Sequence, residues 1–571
     1  MPQETLISPG VLAIENDQSF VTQQPVQAGA AIIGPAVKGP VGIPTLVTTY
    51  SDYVNKFGTT FISGSNTYSY FTSISAYNYF QNGGVSLLVT RVVSGSIHWT
   101  PATSSQILNT TPTNAFVLET LSEGEIMNST STQNPDGTLP SGSANNFRWQ
   151  IVSPNTASGT FSLIIRQGND STNSPSVLES WGPLSLDPFS PNYIERVIGN
   201  QVENVAKDLS DYYLQLSGSY KNNSAYIRVK QVNVTTPNYL DNSGTAKSEY
   251  TSSIPVAASG TFGAGFGSNL PAGTGNYYEN INSSLPQGIP DSEYTESIYL
   301  LSNKDAYKFN FISTPGLVLN YHSSTLSLLD SVCSNNGNSM LILDPIQYGA
   351  QISTAASSVS SLDSSYSAAY WPWLKTVDPG TGQQVWIPAS TMIPGVYAFN
   401  DNAAEPWYAP AGTNRGVITN AIMAERYLTQ GNRDTLYEAN VNPIATFPNT
   451  GVVVFGQKTL QKKASALDRV NVRRLLIELK NYITQIADTL VFEQNTIATR
   501  NNFLLQVNPY LSSVQQRNGL YSFRVVMDET NNTPQVIDNN QLVGAIYLQP
   551  TKTAEFIYLT FNVLPTGVSF G

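Results

Sequence analysis

Three runs of uninterrupted apolar residues restrict the fold of this chain more than any other feature: Ala30-Ala31-Ile32-Ile33, Leu87-Leu88-Val89 and Met340-Leu341-Ile342-Leu343. A strand that is apolar on both sides must be covered on both sides, the habit of strands in an α/β sheet. Helical patterns stand beside them. Ser51 to Gly58 reads as a capped turn stopped by glycine, and a helix around Tyr68–Gln81 ends at Asn82-Gly83-Gly84. Farther on, the pattern predicts a helix over Thr354–Leu362, a strand over Ala368–Trp373, and helices at 416–429, 472–487 and 494–517. Pro509 should kink or restart the last of these.

Between about 95 and 300 the rhythm changes to short alternating runs, such as Phe147-Arg148-Trp149-Gln150-Ile151 and Phe161-Ser162-Leu163-Ile164-Ile165, separated by polar loops. That is the signature of sandwich-like β domains. The last fifty residues are β-patterned again, with strands over Tyr521–Asp528, Leu542–Leu548 and Phe556–Val563 and a turn at Asn531-Asn532-Thr533-Pro534. The expected fold is an α/β core, a mixed sheet with flanking helices, that carries an inserted β-rich outer part and extended arms at both ends. The expected boundaries are an N-terminal arm at 1–20 and core at 21–95. The insertion follows at 96–300, then core, helices and a β-hairpin at 301–563, and a C-terminal arm at 564–571.

A chain of 571 residues has room for three to four domains at roughly 150 residues each. Only 12% of it is charged, about half the usual share of roughly 25%. The missing charge is replaced by Ser, Thr, Asn, Gln and Tyr, a surface suited to stacking against copies of itself or to a β-rich extracellular protein. The net charge of −11 argues against nucleic acid as the main partner. The single cysteine, Cys333, forms no internal disulfide and lies in the helix-like run Leu328–Cys333, as a buried apolar group would. The first residues lack a basic, then apolar, leader, and no run approaches the ~20 apolar residues of a membrane helix. A soluble protein that stays in its compartment of synthesis until assembly is expected.

Catalytic chemistry finds little to work with. The two histidines, His98 and His322, lie far apart in the chain, each without a neighbouring acid or thiol. No His-Glu-x-x-His, Cys-x-x-Cys or phosphate-loop pattern occurs. Gly263-Ala264-Gly265-Phe266-Gly267 lacks the spacing and flanking elements of a dinucleotide fingerprint and reads as a flexible loop in a stretch, 241–293, nearly without pattern. Asp528-Glu529 reads as a turn. No catalytic, cofactor or metal residues are expected, and no enzyme.

Several motifs in one order resemble the contractile tail sheath proteins of myovirus-type bacteriophages. They are Ser8-Pro9-Gly10-Val11, Gly34 to Pro40, Ser364 to Trp373, Trp407 to Gly416, Asp468 to Leu475, Val491 to Asn495, Asp528 to Pro534, Gln549-Pro550 and Glu555-Phe556-Ile557. Inside the insertion only Leu184 to Pro188 with Tyr193-Ile194 fits. The resemblance implies a virion protein, assembled in the host cytoplasm, that forms stacked hexameric rings around a tail tube. It implies contraction that drives the tube through the host envelope. Partners would be copies of itself, the tail tube protein, and baseplate and tail terminator proteins, with no nucleic acid and no membrane insertion. A sheath from a non-viral contractile injection system shares this mechanism. A secreted surface-layer or adhesin subunit is a different class, one that a secretion signal would favour.

The resemblance also implies that terminal arms join a sheet in an adjoining subunit. Both ends are short, apolar and broken by Pro or Gly, through Leu6, Ile7, Pro9, Gly10, Val11, Leu12 and Ile14 at one end and Leu564, Val568 and Phe570 at the other. A lone arm cannot offset its ordering entropy of about 1–2 kcal/mol per residue without borrowed hydrogen bonds. The expected receiver is a hairpin carrying Leu542, Val543, Ile546 and Leu548 on one strand and Phe556, Tyr558 and Phe561 on the other. Arms folded back on their own domain are the alternative. A basic zone from Lys458 to Lys480 holds seven bases and two acids, so the rest of the chain is strongly acidic. Lys458, Lys462, Lys463, Arg473 and Lys480 are its candidates for contact with an acidic tube surface, against a solvated face with intramolecular ion pairs.

Overall fold

The computed structural model describes residues 26–63, 66–95, 99–130, 132–209, 211–268 and 286–557. Its centre is an eight-stranded sheet. The strands in chain order are β1 (Val26–Gly34), β2 (Thr45–Val47), β3 (Leu87–Arg91), β4 (Tyr307–Val318), β5 (Met340–Asp344), β6 (Ser367–Trp371), β7 (Val441–Phe447) and β8 (Gly451–Val454). In space they run β2-β3-β1-β4-β5-β6-β7-β8. From β3 to β7 every pairing is parallel, while β2 and β8 pair antiparallel at the two borders.

Alternation along these strands sends side chains to two different cores. Ala30, Ile32, Leu87, Val89, Met340, Ile342, Ala368 and Tyr370 face one way, into a cluster shared with Phe71, Ile74, Ile393 and Tyr397. Ala31, Ile33, Leu88, Leu341, Leu343, Ala369 and Trp371 face the other, toward Ile298, Leu301, Leu326, Leu329 and Ala355. Helices α1 (Tyr50–Phe57) and α2 (Phe71–Gln81) contribute to the first layer; α3 (Tyr294–Leu301), α4 (Ser323–Asn336) and α5 (Ile352–Ser358) contribute to the second. Thr49 starts α1 by accepting from Asp52 N at 3.0 Å, and Gly58 ends it at φ 71°. Cys333 is buried on α4.

Two expected helices come out differently. The helix around Tyr68–Gln81 begins only at Phe71, because Asn66–Ser69 pairs with Thr60–Ser63 and stacks Tyr68 on Phe61, centroids 5.6 Å apart. The helix at 416–429 is absent. Ala421–Ala424 is instead a strand beside Leu374–Val377, and α6 (Gln430–Glu438) starts where Thr429 and Asn432 form a reciprocal capping box.

The insertion is one seven-stranded antiparallel sheet, ordered Val177–Ser185, Thr160–Gln167, Phe147–Asn155, Ala258–Gly263, Pro101–Ser104, Phe116–Glu123, Ile227–Val232. Strand Ala258–Gly263 bends it by pairing with Phe147–Asn155 through its first four residues and with Pro101–Ser104 through its last two. The sheet therefore folds over a single core, and Phe116 stacks on Phe161 across three intervening strands, centroids 5.6 Å apart. A hairpin, Val202–Asp208 with Asp211–Ser217, packs Val205 and Leu214 on the α/β core and stacks Tyr212 on Tyr299 at 5.4 Å. The loop at Gly265–Gly267 is packed too: Gly265 N donates to Asn128 Oδ1 at 2.8 Å, and Gly267, at φ 121°, lies against Trp99.

Candidate functional site

The C-terminal part supplies the surface of interest. Helices α7 (Val470–Asp488) and α8 (Ile497–Gln516) form a pair, tied by Tyr482 stacked on Tyr510 with centroids 3.7 Å apart. Pro509 does not restart α8; it faces solvent, where the carbonyl it leaves without a donor can meet water. Leu475, Leu479, Phe503, Val507, Leu511 and Val514 make an apolar platform between the helices. On this platform lies an antiparallel ribbon of β9 (Leu520–Val526) and β10 (Ala545–Pro550).

The receiving strand expected over Leu542–Leu548 pairs with Leu520–Val526 among the described residues, while most of its expected partner, Phe556–Val563, lies outside them. Leu542 and Val543 precede β10, while Ile546 and Leu548 turn onto the platform. Phe556 and Ile557 belong to no strand and are exposed, and Tyr558 and Phe561 lie outside the described residues, as do both arms, 6–15 and 564–571. Among the described residues no third strand joins either border of the ribbon, and Tyr521 and Tyr547 stand exposed on its outer face. The long link between its strands is held by Asn532, which is buried. Its amide donates to Val543 O at 2.8 Å and accepts from Val543 N at 2.9 Å, as a neighbouring strand would. Sequence reasoning takes this asparagine for an ordinary turn residue.

The chain then leaves the ribbon and returns to the core. Glu555 sits in a socket of three donors: Arg469 Nε at 2.7 Å, Tyr437 Oη at 2.8 Å and Gln457 Nε2 at 2.9 Å. Gln457 Nε2 also donates to Thr553 Oγ1 at 2.7 Å. Beside this seat runs a groove of about 380 Å³ between α6 and the tail, lined by Gln430, Arg433, Tyr437, Phe455 and Phe556 among others. The motif Glu555-Phe556-Ile557 marks the segment in the sequence, but its acceptor role depends on residues some hundred positions upstream.

The basic zone is largely consumed by internal contacts. Arg473 is buried over the Tyr366 ring at 4.0 Å and donates to Ser365 Oγ at 2.5 Å, so it does not present its charge outward. Arg474 is buried against Asp401 at 2.5 Å. Lys458 donates to Tyr437 O at 2.7 Å, and burial holds its pKa below the ordinary lysine value. Lys480 is exposed but reaches Tyr366 Oη at 3.2 Å. Lys462 and Lys463 are exposed, with Lys462 Nζ on Ser360 O at 2.8 Å.

Of the titratable groups considered for chemistry, His98 lies outside the described residues. His322 is buried at the start of α4, where Nδ1 accepts from Val318 N at 3.0 Å. Burial pushes the Cys333 thiol up to about 12, far from a reactive thiolate. Among the described residues no group of three or more His, Cys, Asp or Glu side chains is placed to hold a metal ion, and no helix is long and apolar enough to cross a membrane.

Residues 292–460 match the phage tail sheath protein central domain and residues 462–564 the phage tail sheath C-terminal domain. The tail sheath protein of Vibrio phage KVP40 is 31% identical over 361 residues, 58% of this chain and 51% of that protein. The tail sheath protein of Enterobacteria phage T4 is 40% identical over 185 residues, 32% of this chain and 28% of that protein. The chain thus spans about half or less of these relatives' length. The crystal structure of a sheath tail protein from Listeria innocua shares the fold, with a TM-score of 0.51 at 10% identity over 92% of this chain and 96% of that one. The chain is a relative of phage tail sheath proteins and carries their central and C-terminal domains at residues 292–460 and 462–564.

Proposed function

We propose that this chain is the structural subunit of a contractile phage tail sheath, polymerising as stacked hexameric rings around a tail tube and shortening to drive the tube through the host envelope. The observation that carries this reading is the β9–β10 ribbon within the matched C-terminal sheath domain. A two-stranded ribbon is marginal by itself, and this one has two borders free among the described residues. Residues 6–15 of one copy and 564–571 of another are the strands we assign to those borders. At about 1 kcal/mol net per hydrogen bond, a five-residue strand contributes several kcal/mol of cohesion. Tail tube, baseplate and terminator proteins are the further partners under this reading. Lys462, Lys463 and Lys480 are the lysines exposed enough to meet an acidic tube.

Subunits tied through terminal arms can tilt as rigid bodies while staying linked, so the polymer can change length without dissolving. Deleting residues 1–15 tests this. The truncated protein is expected to melt near the parent temperature yet form no striated tubes by electron microscopy; tubes of normal length would refute the reading.

A further inference from the structure

The parallel strands of the core follow one another in space as β3-β1-β4-β5-β6-β7, so the direction of winding reverses between β1 and β4. In open α/β sheets the crevice beyond the carboxyl ends of two such strands is where ligands bind. Here it is bordered by the first turns of α2, which leads from β1 toward β3, and of α4, which leads from β4 to β5. At both helix starts the first N–H groups have no acceptor within the helix and stand at the positive end of its dipole.

The crevice is filled by the chain itself. Where the insertion returns to the core, Gln287 is fully buried with φ 53°. Its Oε1 accepts from Phe71 N, the first residue of α2, at 2.9 Å, and its Nε2 donates to Pro315 O at 2.8 Å. Pro315 lies where the β4–β5 register breaks, which leaves its carbonyl free for a side chain. Gly316 follows at φ 104°, and a Cβ there would sit 2.5 Å from Gln287 Nε2, so the backbone is cut to the shape of the carboxamide. Four residues on, Asp291 Oδ2 accepts from Thr325 Oγ1 in the first turn of α4 at 2.8 Å. Beneath, the buried hydroxyl of Thr72 points at Gly34 on β1 and has no hydrogen-bond partner among the described residues.

We propose that residues 287–291 are a built-in ligand: the Gln287 carboxamide and the Asp291 carboxylate fill the place where a doubly wound sheet takes a small polar molecule, closing that place and locking the end of the insertion to the core. An external ligand of this chemistry, a small primary carboxamide, should enter only when Gln287 is cut back.

The full-length Gln287→Ala protein tests this. It is expected to melt about 2–4 °C below the parent. Propionamide should raise its melting temperature in a saturable way while leaving the parent and Gln287→Met unmoved. Equal responses of the parent and Gln287→Ala to propionamide, or no loss on truncation, would overturn the proposal. Gln287→Met keeps the volume and drops both hydrogen bonds, which covers the case in which the alanine variant does not fold. Amide exchange at Phe71 should then quicken about fivefold, the equivalent of one ordinary hydrogen bond; unchanged exchange at Phe71 also overturns it.

Discussion

The side chain of Asp344, at the end of β5, accepts from both the backbone N–H and the hydroxyl of Ser390, at 2.9 and 2.5 Å. Burial outweighs these bonds and pushes the carboxyl up to about 7. A carboxyl with a raised folded pKa lends its full stability below its unfolded value, and that stability is lost as pH climbs through the folded value. Between about pH 4 and pH 7 this group therefore weakens the fold progressively. Asp344→Asn removes the charge, keeps the bond from Ser390 N and can reverse the other, its amide N–H donating to the Ser390 hydroxyl. Urea titrations should show the variant gaining on the parent by roughly 2–4 kcal/mol between pH 4.5 and pH 7.5; a constant difference would contradict this.

Lys38 reports the opposite case. It is buried, its Nζ lies 5.1 Å from the Phe147 ring centre, and desolvation lowers it to about 8. The unfolded chain holds this proton up to about pH 10, so stability from this residue should rise between about pH 8 and pH 10. Lys38→Met should flatten that rise in the same titration.

Glu555 should hold the tail on the core. Glu555→Ala removes the shared acceptor of three donors and should expose the exposed Lys552 to trypsin several-fold faster than in the parent. The melting temperature should move by only about 1–3 °C. Equal cleavage rates, read by mass spectrometry, would show that the socket does not restrain the tail.

The basic zone divides into two classes. Arg473→Glu buries an unpaired carboxylate against Tyr366 and should cost about 3–5 kcal/mol in urea unfolding. Lys463→Glu, on an exposed side chain, should change stability by less than about 0.5 kcal/mol. Sheath-on-tube assembly unaffected by combined reversal of Lys462 and Lys463 would remove them as tube contacts.

Asn532→Ala should cost about 1–3 kcal/mol, because Val543 loses partners for both its N–H and its carbonyl. Near-parent stability would mean that water replaces the amide.

The core was legible where burial forces composition. Ile32 and Ile33, or Leu341 and Ile342, face opposite clusters, and only a sheet covered twice needs apolar side chains at both. The helix at 416–429 misled because its apolar spacing also suits a short strand, and the pairing of Ala424 with Leu374 decides between them. Periodicity describes a segment's neighbours along the chain, and β-partners lie elsewhere. For the same reason Tyr437, Gln457 and Arg469 give no hint of their shared acceptor at Glu555, and Gln287 gives none of its seat beside Phe71. Arg473 and Lys463 look equivalent as charges in a row; the helical turn that buries one and the loop that exposes the other separate them.

The antiparallel borders of the central sheet carry a mechanical implication. On one side β2 is only three residues long, and on the other β8 already bonds to residues 416–418 along its far flank. Neither margin offers a neighbour a long row of vacant peptide groups. Under the proposed function, traction between copies would fall on appendages outside that slab, leaving its hydrophobic interior unstressed while the lattice around it rearranges.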